Sequence, residues 1–167
     1  MNVIAAVDRN WAIGFKNKLL TRIPNDLKNF RQMTIHKVVV MGRKTLESFP
    51  GGQPLELRTN IVLTTDPNYK AKGCVILHSI DELEVELQKY NSEDVYIIGG
   101  GSIYEQLLPK CNIAYITEIN HAFQADTYFP NLSKMKEWEK VEISEEYTCH
   151  DLEYFFTKYI RKSRESI

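Results

Sequence analysis

The sequence predicts an α/β fold in which a mixed, mostly parallel sheet is flanked by helices. Several segments are nearly continuous runs of Val and Ile, as is typical of parallel strands that are covered on both faces. Segments with helical spacing of apolar residues lie between these runs. The end of the chain instead alternates apolar and polar residues, which favours an antiparallel pair of strands there.

The elements can be assigned in chain order. The predicted strands are 2–7, 37–41, 58–64, 74–78, 95–99 and 112–119, with an antiparallel pair within 138–148 and 152–162. Three helices are predicted between strands. The segment 24–34 begins with a proline, which is favoured in a first helical turn. The segment 79–90 begins with Ser79 and has Glu82 three residues later, the pattern of a capping box, and 102–108 has apolar residues at helical spacing.

Length and composition restrict the possible functions. The chain has 167 residues, so we expect a single domain over 1–167. Its 21 Lys and Arg nearly balance 22 Asp and Glu, and this charge predicts no binding to nucleic acid or to a membrane. Cys74, Cys111 and Cys149 are widely spaced, which favours buried free thiols in a reducing cytoplasm. Neither they nor the histidines have the spacing of metal ligands, so we assign no metal site.

The segment 9–23 does not fit a compact scaffold. It shows neither strand alternation nor a capped helix, and it contains Gly14. Unstructured loops longer than about 12–15 residues are uncommon unless they act as lids or binding loops. We therefore interpret 9–23 as a lid; the alternative is a short helix or strand that the pattern does not reveal.

Three glycines in a row, Gly99 to Gly101, join an apolar strand to a predicted helix. Glycine inside an element costs on the order of 1 kcal/mol relative to alanine, so some close approach of the backbone is expected here. A helix N-terminus offers free N–H groups and a partial positive charge, which suit a phosphate. The alternative is a tight turn, and the fingerprint spacing of dinucleotide-binding glycines is absent.

Two further junctions carry groups suited to phosphate. After strand 37–41, a glycine is followed by two cations and a hydroxyl, and after strand 58–64 two threonines stand together. Each pattern alone is also what a solvated turn contains. The residues are Gly42, Arg43, Lys44, Thr45, Thr64 and Thr65.

Asp26 is a candidate for binding a substrate, separate from the residues suited to phosphate. It lies in the first turn of helix 24–34, four residues before Phe30, so the two side chains share a face. A lone carboxylate in an apolar pocket can hold a protonatable heterocycle by paired hydrogen bonds, although an Asp here also simply favours the helix dipole. Arg58, at the start of a strand, is placed to bind a substrate carboxylate or to be an exposed strand end.

The order of these motifs along the chain resembles the dihydrofolate reductase family of the bacterial, chromosomal type. The segments "IAAV", "AIG", "IPNDLKNF", "MGRKTLES", "IIGGGSIYEQ", "YITEI" and "ADTYFP" carry the resemblance, which spans essentially the whole chain. It implies a central eight-stranded, mostly parallel mixed sheet with four helices, in a monomer whose middle portion forms an adenosine-binding subdomain. It also implies NADPH-dependent reduction of 7,8-dihydrofolate to tetrahydrofolate, with antifolates as inhibitors.

The resemblance implies a residue set for each ligand. For the cofactor NADPH, with a cis peptide between Gly99 and Gly100, the set is Ala6, Ile13, Gly14, Asn17, Leu19, Gly42, Arg43, Lys44, Thr45, Thr64, Thr65, Ile98, Gly99, Gly100, Gly101, Ser102, Ile103 and Tyr104. For dihydrofolate it is Ile4, Ala5, Asp26, Leu27, Phe30, Phe49, Leu55, Arg58, Ile98 and Thr117. The catalytic set is Asp26, Thr117 and Thr21.

The resemblance also implies roles. Asp26 binds the amino and ring N–H groups of the pterin, with support from Thr117 through water or a direct bond. Arg58 binds the carboxylate of the glutamyl tail. The hydride goes to the imine carbon and a proton to the imine nitrogen. We hypothesise that Asp26 raises the basicity of the bound pterin and that water delivers the proton. Asp126 lies in a loop that supports the lid in some relatives.

Three positions depart from the family pattern. Leu20 and Thr21 stand where many relatives have Pro-Trp, Ser102 stands where relatives often carry a cation, and "PLEL" replaces the usual Pro-Gly before Arg58. Phosphate binding is thus expected to depend more on Arg43 and Lys44.

Two alternatives use the same fold. The reductase of riboflavin biosynthesis shares fold and cofactor, but it should lack an Asp at position 26. A non-catalytic nucleotide-binding module has no use for Asp26, Phe30, Arg58 and Thr117 across the cleft.

Replacement of Thr21 by Trp is expected to tighten the binding of folate and of small antifolates. A hydroxyl binds water but does not replace the apolar area of an indole. Dissociation constants of the native chain and of Thr21→Trp measure this effect. Equal or tighter binding by the native chain contradicts the prediction.

Overall fold

The structure, a computed structural model, describes residues 1–163. Within this range it has four helices, α1 (Pro24–Thr34), α2 (Arg43–Ser48), α3 (Ile80–Leu87) and α4 (Gly101–Leu107). The strands are β1 (Asn2–Val7), β2 (Ala12–Phe15), β3 (Lys18–Leu19), β4 (Val38–Gly42), β5 (Thr59–Leu63), β6 (Cys74–Leu77), β7 (Val95–Gly99), β8 (Ile113–Ile119), β9 (Thr127–Tyr128), β10 (Trp138–Ile143), β11 (Tyr147–Cys149) and β12 (Leu152–Arg161).

The central sheet has eight strands in the order β10-β12-β8-β1-β7-β4-β5-β6, and the short strand β11 also pairs with β12. The neighbours from β8 to β6 are all parallel, whereas β12 is antiparallel to both β8 and β10. The predicted mixed, mostly parallel sheet with four helices is therefore confirmed. The carboxyl ends of β1, β4, β5, β6, β7 and β8 consequently lie along one edge of the sheet, where ligands of such sheets bind.

The apolar runs that predicted the strands reflect burial on both faces of the sheet. In β4, Val38 and Val40 pack into one core cluster, and Val39 and Met41 pack into the other. All four side chains are almost fully buried. Since side chains alternate between the faces of a strand, a run without polar residues is what a doubly covered strand requires.

The predicted helix boundaries are confirmed to within a few residues. Helix α3 starts as predicted, with the Ser79 hydroxyl accepting a hydrogen bond from the backbone N–H of Glu82 at 3.1 Å. The Glu82 carboxylate, however, accepts from the N–H of His78 at 2.6 Å, so the capping box is complete in one direction only. The helix ends at Leu87, three residues earlier than the predicted 79–90.

The segment 9–23 is not the unstructured loop that we expected. β2 and β3 form a hairpin whose tip is Lys16 and Asn17, and β2 also pairs with β9. Both tip residues have positive φ, 48° and 61°, as a tight two-residue turn between antiparallel strands requires. Strands this short carry little periodicity, and the partner β9 lies far along the chain. The small three-stranded sheet could therefore not be predicted from the periodicity of apolar residues.

The thiol prediction is confirmed in part. All three cysteines lie in the described range and none is paired, but only Cys111 is buried, while Cys74 and Cys149 are half-buried. Across residues 1–163 the acidic, histidine and cysteine side chains form no cluster suited to a metal ion. None of the four helices in that range is long and apolar enough to cross a membrane.

Leu57→Gly is expected to stabilise the fold by about 0.5–1 kcal/mol. Leu57 has φ 59°, a left-handed conformation that is unfavourable for a side chain with a Cβ, and it is 59% exposed. Its carbonyl accepts a hydrogen bond from the N–H of His36 at 2.8 Å, which keeps the backbone in this conformation. The midpoint of urea unfolding measures the effect.

Leu57→Ala is the matched control, because it removes the exposed side chain but keeps the Cβ. An equal gain from Leu57→Ala and Leu57→Gly would show that side-chain exposure, and not backbone strain, is responsible.

Candidate active site

Asp26 and Thr117 join helix α1 to the sheet at its ligand-binding edge. The Thr117 hydroxyl, near the end of β8, donates a hydrogen bond of 2.6 Å to the Asp26 carboxylate. Thr117 is 5% exposed, and it pairs in register with Ala6 of the central strand β1. Two residues that are 91 positions apart in the sequence are therefore in direct contact.

Burial raises the pKa of the Asp26 carboxyl, and the hydrogen bond from Thr117 lowers it by a smaller amount. The net effect is a pKa above the usual range of aspartate. A carboxylate that only favoured a helix dipole would stay in solvent, where no such burial arises. Asp26 instead has the environment of a group that binds or exchanges a proton.

An apolar wall adjoins Asp26. Residues from four separate parts of the chain that the resemblance assigned to dihydrofolate pack in one core cluster: Ile4, Phe30, Phe49, Leu55 and Ile98. Ile4 is nearly buried, and the others are half-buried. Partly exposed apolar side chains around a buried carboxylate form a surface suited to a flat, partly polar ring.

Four further predicted site residues pack outside the cluster that forms the apolar wall. Ala5 and Ile13 pack against the core cluster on the opposite face of the sheet from Ile4, so Ala5 faces the cleft only through its backbone. Ala6 adjoins a third cluster around Ile119, and Leu27 is half-buried on α1.

At the end of β7 the surface is formed by the backbone of glycines and not by side chains. Gly99 and Gly100 are joined by a cis peptide bond, as the resemblance implied. A Cβ at either glycine would lie 3.5 Å from the Thr45 hydroxyl, and Gly99 has φ 130°, which side chains rarely adopt. At the end of β4, a Cβ on Gly42 would lie 3.1 Å from Ile103. Thr45 of α2 therefore faces bare main chain across this corner.

Gly101 is required for a different reason. A Cβ there would lie 2.7 Å from the Cγ2 methyl of Thr127 in β9. The third glycine thus lets the start of α4 pack directly on the small sheet that contains the β2–β3 hairpin. Its neighbour Ser102 is exposed and accepts a hydrogen bond from the Gln106 amide at 2.8 Å.

Tyr104 connects the glycine corner, formed by Gly42, Gly99 and Gly100, to the central strand β1. Its hydroxyl donates a buried hydrogen bond of 2.7 Å to the carbonyl of Ile4, and its ring borders the Gly99 position. Burial, with the nearby Asp26 charge as a smaller cause, raises the pKa of the Tyr104 hydroxyl far above its usual value. Tyr104 therefore stays neutral, and it lies between Ile4 of the apolar wall and the glycines at the end of β7.

The residues that were predicted to bind phosphate lie at the ends of neighbouring strands. Arg43 and Lys44 follow β4 and are exposed, and Arg43 lies 3.7 Å from Glu47 in an exposed pair that contributes little. Thr64 and Thr65 follow β5, the next strand of the sheet. Two cations and several hydroxyls thus converge where β4 and β5 end, next to Gly42.

His78 joins this group, and sequence reasoning missed it. It follows β6, and its Nδ1 lies 3.0 Å from the carbonyl oxygen of Thr64. The predicted strand 74–78 already ended at His78. Adjacent parallel strands end at the same edge, so the strand order was the missing information.

Arg58 lies near the exposed end of the apolar wall. Its guanidinium donates to the Thr34 hydroxyl at 3.1 Å and to the carbonyl of Glu56 at 2.9 Å. Burial, and then the positive charge of Arg31, lower the pKa of Arg58. Two guanidinium groups therefore share this end of the cleft, which favours an anion there.

The hairpin is held by Asp126. Its carboxylate accepts hydrogen bonds of 2.9 Å from the Lys16 N–H and from the Thr127 hydroxyl, which lower its pKa. Its own N–H donates to the Gly14 carbonyl at 3.0 Å. Asn17 and Leu19 are exposed near the hairpin tip, and Thr21 is half-buried just before α1.

Comparison with known proteins agrees with this site. A family model described as dihydrofolate reductase matches residues 1–161. The chain belongs to the dihydrofolate reductase family. Its sequence is similar to the dihydrofolate reductase of Staphylococcus aureus strain Mu50, with 37% identity over 139 residues, which are 83% of this chain and 82% of the relative. It is 35% identical to that of Bacillus subtilis strain 168 over 167 residues, covering 98% and 95% of the two chains.

A solved structure supports the same assignment. The dihydrofolate reductase of Enterococcus faecalis, complexed with NADP(H) and the compound RAB-propyl, superimposes with a TM-score of 0.87 at 36% identity, covering 97% of this chain and 96% of that one. The predicted family, its activity as an NADPH-dependent oxidoreductase and its cofactor are confirmed. The riboflavin-type reductase and the non-catalytic module are not supported.

Gly101→Ala is expected to destabilise this dihydrofolate reductase family member by about 1–3 kcal/mol, the usual cost of overpacking. The added methyl collides with the Thr127 Cγ2, which a β-branched side chain cannot move away. Urea unfolding measures the loss.

Thr127→Ser, made in the Gly101→Ala background, removes that methyl and keeps the hydroxyl that bonds Asp126. It should recover most of the lost stability. If the double variant is as unstable as Gly101→Ala alone, the contact with Thr127 is not the reason for the glycine.

Proposed function

We propose that this chain reduces 7,8-dihydrofolate to 5,6,7,8-tetrahydrofolate with NADPH, using Asp26 as its single acidic group and the glycine corner as the cofactor wall. The observation that carries this assignment of roles is the half-buried Asp26 carboxyl, which accepts a hydrogen bond from Thr117 and whose charge acts on Tyr104 beside the bare backbone at Gly99. A nucleotide-binding module has no use for such a carboxyl.

The residues of the corner fit NADPH. A Cβ at Gly42 would crowd Ile103, and Gly99 has φ 130°, which side chains rarely adopt, so main chain is the surface that a ligand meets there. Arg43, Lys44, Thr45, Thr64 and Thr65 are the groups that would bind the phosphates, and the bound cofactor supplies a hydride. His78, beside Thr64, belongs to the same edge. Ser102 supplies no charge, which leaves Arg43 and Lys44 as the cations for phosphate recognition.

Asp26 holds the pterin in this proposal. As a carboxylate it accepts hydrogen bonds from the amino and ring N–H groups, while the Thr117 hydroxyl occupies one oxygen and fixes the rotamer. A negative charge next to the ring favours protonation of the imine nitrogen. Water then delivers that proton, and Asp26 does not transfer its own.

The remaining residues orient the substrate. The apolar wall of Ile4, Phe30 and Phe49 excludes water from the ring faces, and Arg58 binds the carboxylate of the glutamyl tail. The charge of Arg31 adds to the attraction for this anion. Holding reacting atoms within about 3–3.5 Å requires such fixed walls.

We further propose a cytoplasmic monomer whose middle portion, around β5 and β6, forms an adenosine-binding subdomain. Three unpaired thiols suit a reducing compartment. The most exposed large apolar side chains lie on several separate elements and do not form one face of the size that a stable dimer buries: Leu19, Leu57, Val85, Tyr128, Val141 and Ile143.

Asp26→Asn is expected to lower turnover of dihydrofolate at pH 7 by about 10²–10⁴-fold, because the amide cannot supply negative charge to the pterin. Loss of nicotinamide absorbance in a mixture of NADPH and dihydrofolate measures turnover. The binding of NADPH alone should stay unchanged. Asp151→Asn, at an exposed carboxyl on the β11–β12 turn, is the matched control and should retain full activity. Unchanged turnover in Asp26→Asn would remove Asp26 from this role.

The stability advantage of Asp26→Asn over the native chain should grow as the pH rises. Because the pKa of Asp26 is raised in the fold, the folded state of the native chain holds this proton longer than the unfolded state. Its stabilising contribution is complete at low pH and is lost as the pH rises through the folded pKa. Asp26→Asn lacks this loss, so its advantage should be small at low pH and reach about 0.5–2 kcal/mol at pH 8. An advantage that does not depend on pH contradicts the assignment.

A further inference from the structure

A second cavity lies on the other flank of α1 from the proposed dihydrofolate cleft. It is an open pocket of about 470 Å³ between α1 and the strands β8, β10 and β12, and Ile4 of the apolar wall also lines it. The cleft lies over β1, β7 and the ends of β4 and β5, whereas this cavity lies towards the β10 edge of the sheet. Its size falls within the range of about 300–1,000 Å³ for small-molecule sites.

The lining of this cavity combines the aromatic side chains of Tyr115 and Phe156 with polar ones from Asn29, Thr117, Glu142, Ser144, Thr157 and Lys158. Thr117 pairs in register with Phe156, and Tyr115 pairs with Lys158, so these four side chains share the α1 face of the sheet. Met33 of α1 lines the opposite side. A ring that enters the cavity would meet Tyr115 and Phe156, which are both half-buried.

Lys158 is the cation of the cavity, and its hydrogen-bonding capacity is not used. Its ammonium lies 5.9 Å from the centre of the Tyr115 ring. The nearest carboxylate oxygen, on Glu142, is 3.9 Å away, which is too far for a hydrogen bond. Within residues 1–163 the ammonium donates no hydrogen bond, and its side chain is only 28% exposed, against 69% for Glu142.

We propose that this cavity binds a small planar aromatic carboxylate, with the carboxylate on Lys158 and the ring against Tyr115 and Phe156. A charge-assisted hydrogen bond from a partly enclosed ammonium is stronger than one from an exposed lysine, and the aromatic side chains provide apolar area for the ring. Glu142 is the one carboxylate on the lining, and its high exposure lets it turn into solvent when an anion binds.

The site is coupled to the Asp26 carboxyl through a shared residue. Thr117 lines the cavity and also donates the hydrogen bond to Asp26. A bound ring would contact Thr117, which orients the acid, and Ile4, which also belongs to the apolar wall of the cleft. Linkage requires that ligands of the two sites then affect each other's affinity.

The test uses the full chain with NADPH and the small antifolate trimethoprim bound, so that the proposed cleft is filled. The probe is 1-naphthoate, and 1-naphthalenemethanol is its neutral counterpart. Titration is followed by amide NMR of the ¹⁵N-labelled protein. Signals of Tyr115, Thr117, Phe156 and Lys158 should shift with a dissociation constant of about 1 mM, as expected for so small a ligand. The alcohol should bind several-fold more weakly.

Lys158→Met keeps the length of the side chain and removes its charge, so it should weaken naphthoate binding roughly tenfold. Lys158→Gln serves the same purpose if the first variant does not fold. The matched control is Lys140→Met, on the opposite face of the same edge, where the ammonium is bonded to Glu118 at 2.9 Å. It should leave naphthoate binding unchanged.

Three results would overturn the proposal: no shift at these residues up to about 10 mM probe, equal binding of acid and alcohol, or an unchanged dissociation constant in Lys158→Met. Failure of NADPH or trimethoprim to bind would contradict the proposed function and not the proposal for this cavity. In that case the same titration is run on the chain alone.

Discussion

The hydrogen bond from Thr117 to Asp26 is the interaction on which the site depends. It ties the first turn of α1 to β8, and β8 is paired in register with β1. Without a partner, a carboxyl buried to this degree would carry the full cost of desolvation. With Thr117 in place, the acid stays oriented although its pKa is raised. The pocket around it is apolar enough to strengthen any further hydrogen bond that Asp26 accepts.

Glycines at the end of β7 serve two purposes within three residues. Gly99 and Gly100 leave main chain exposed opposite Thr45, whereas Gly101 allows α4 to pack on Thr127. Because Thr127 belongs to the same small sheet as the β2–β3 hairpin, the glycine corner and the hairpin share a contact. Asp126, one residue earlier, bonds the hairpin directly. The position of the hairpin is therefore set by residues adjoining the glycine corner.

Much of the sheet was predictable because its strands are buried on both faces. Val38 to Met41 alternate between two cores, which demands an unbroken apolar run. Helix α1 was predictable from its proline and its spacing, and its boundaries agree with the structure. The β2–β3 hairpin was missed because β2 and β3 together contain few residues, and because their positions depend on β9, which is distant in the sequence. His78 was missed for a similar reason, since its contact with Thr64 arises from strand order.

The sequence by itself determined the fold class and the family. It also identified Asp26 as a single candidate acid, and three strand ends whose residues suit a phosphate. Local spacing and the order of motifs contain that information, because burial periodicity and turn chemistry are properties of neighbouring residues. Only the tertiary structure decided that Thr117 contacts Asp26, that Gly101 is required by Thr127, and that Ala5 faces away from the apolar wall around Ile4. Each of these depends on the register between strands or on packing between distant segments, and a one-residue change of register would reverse which side chains face the cleft.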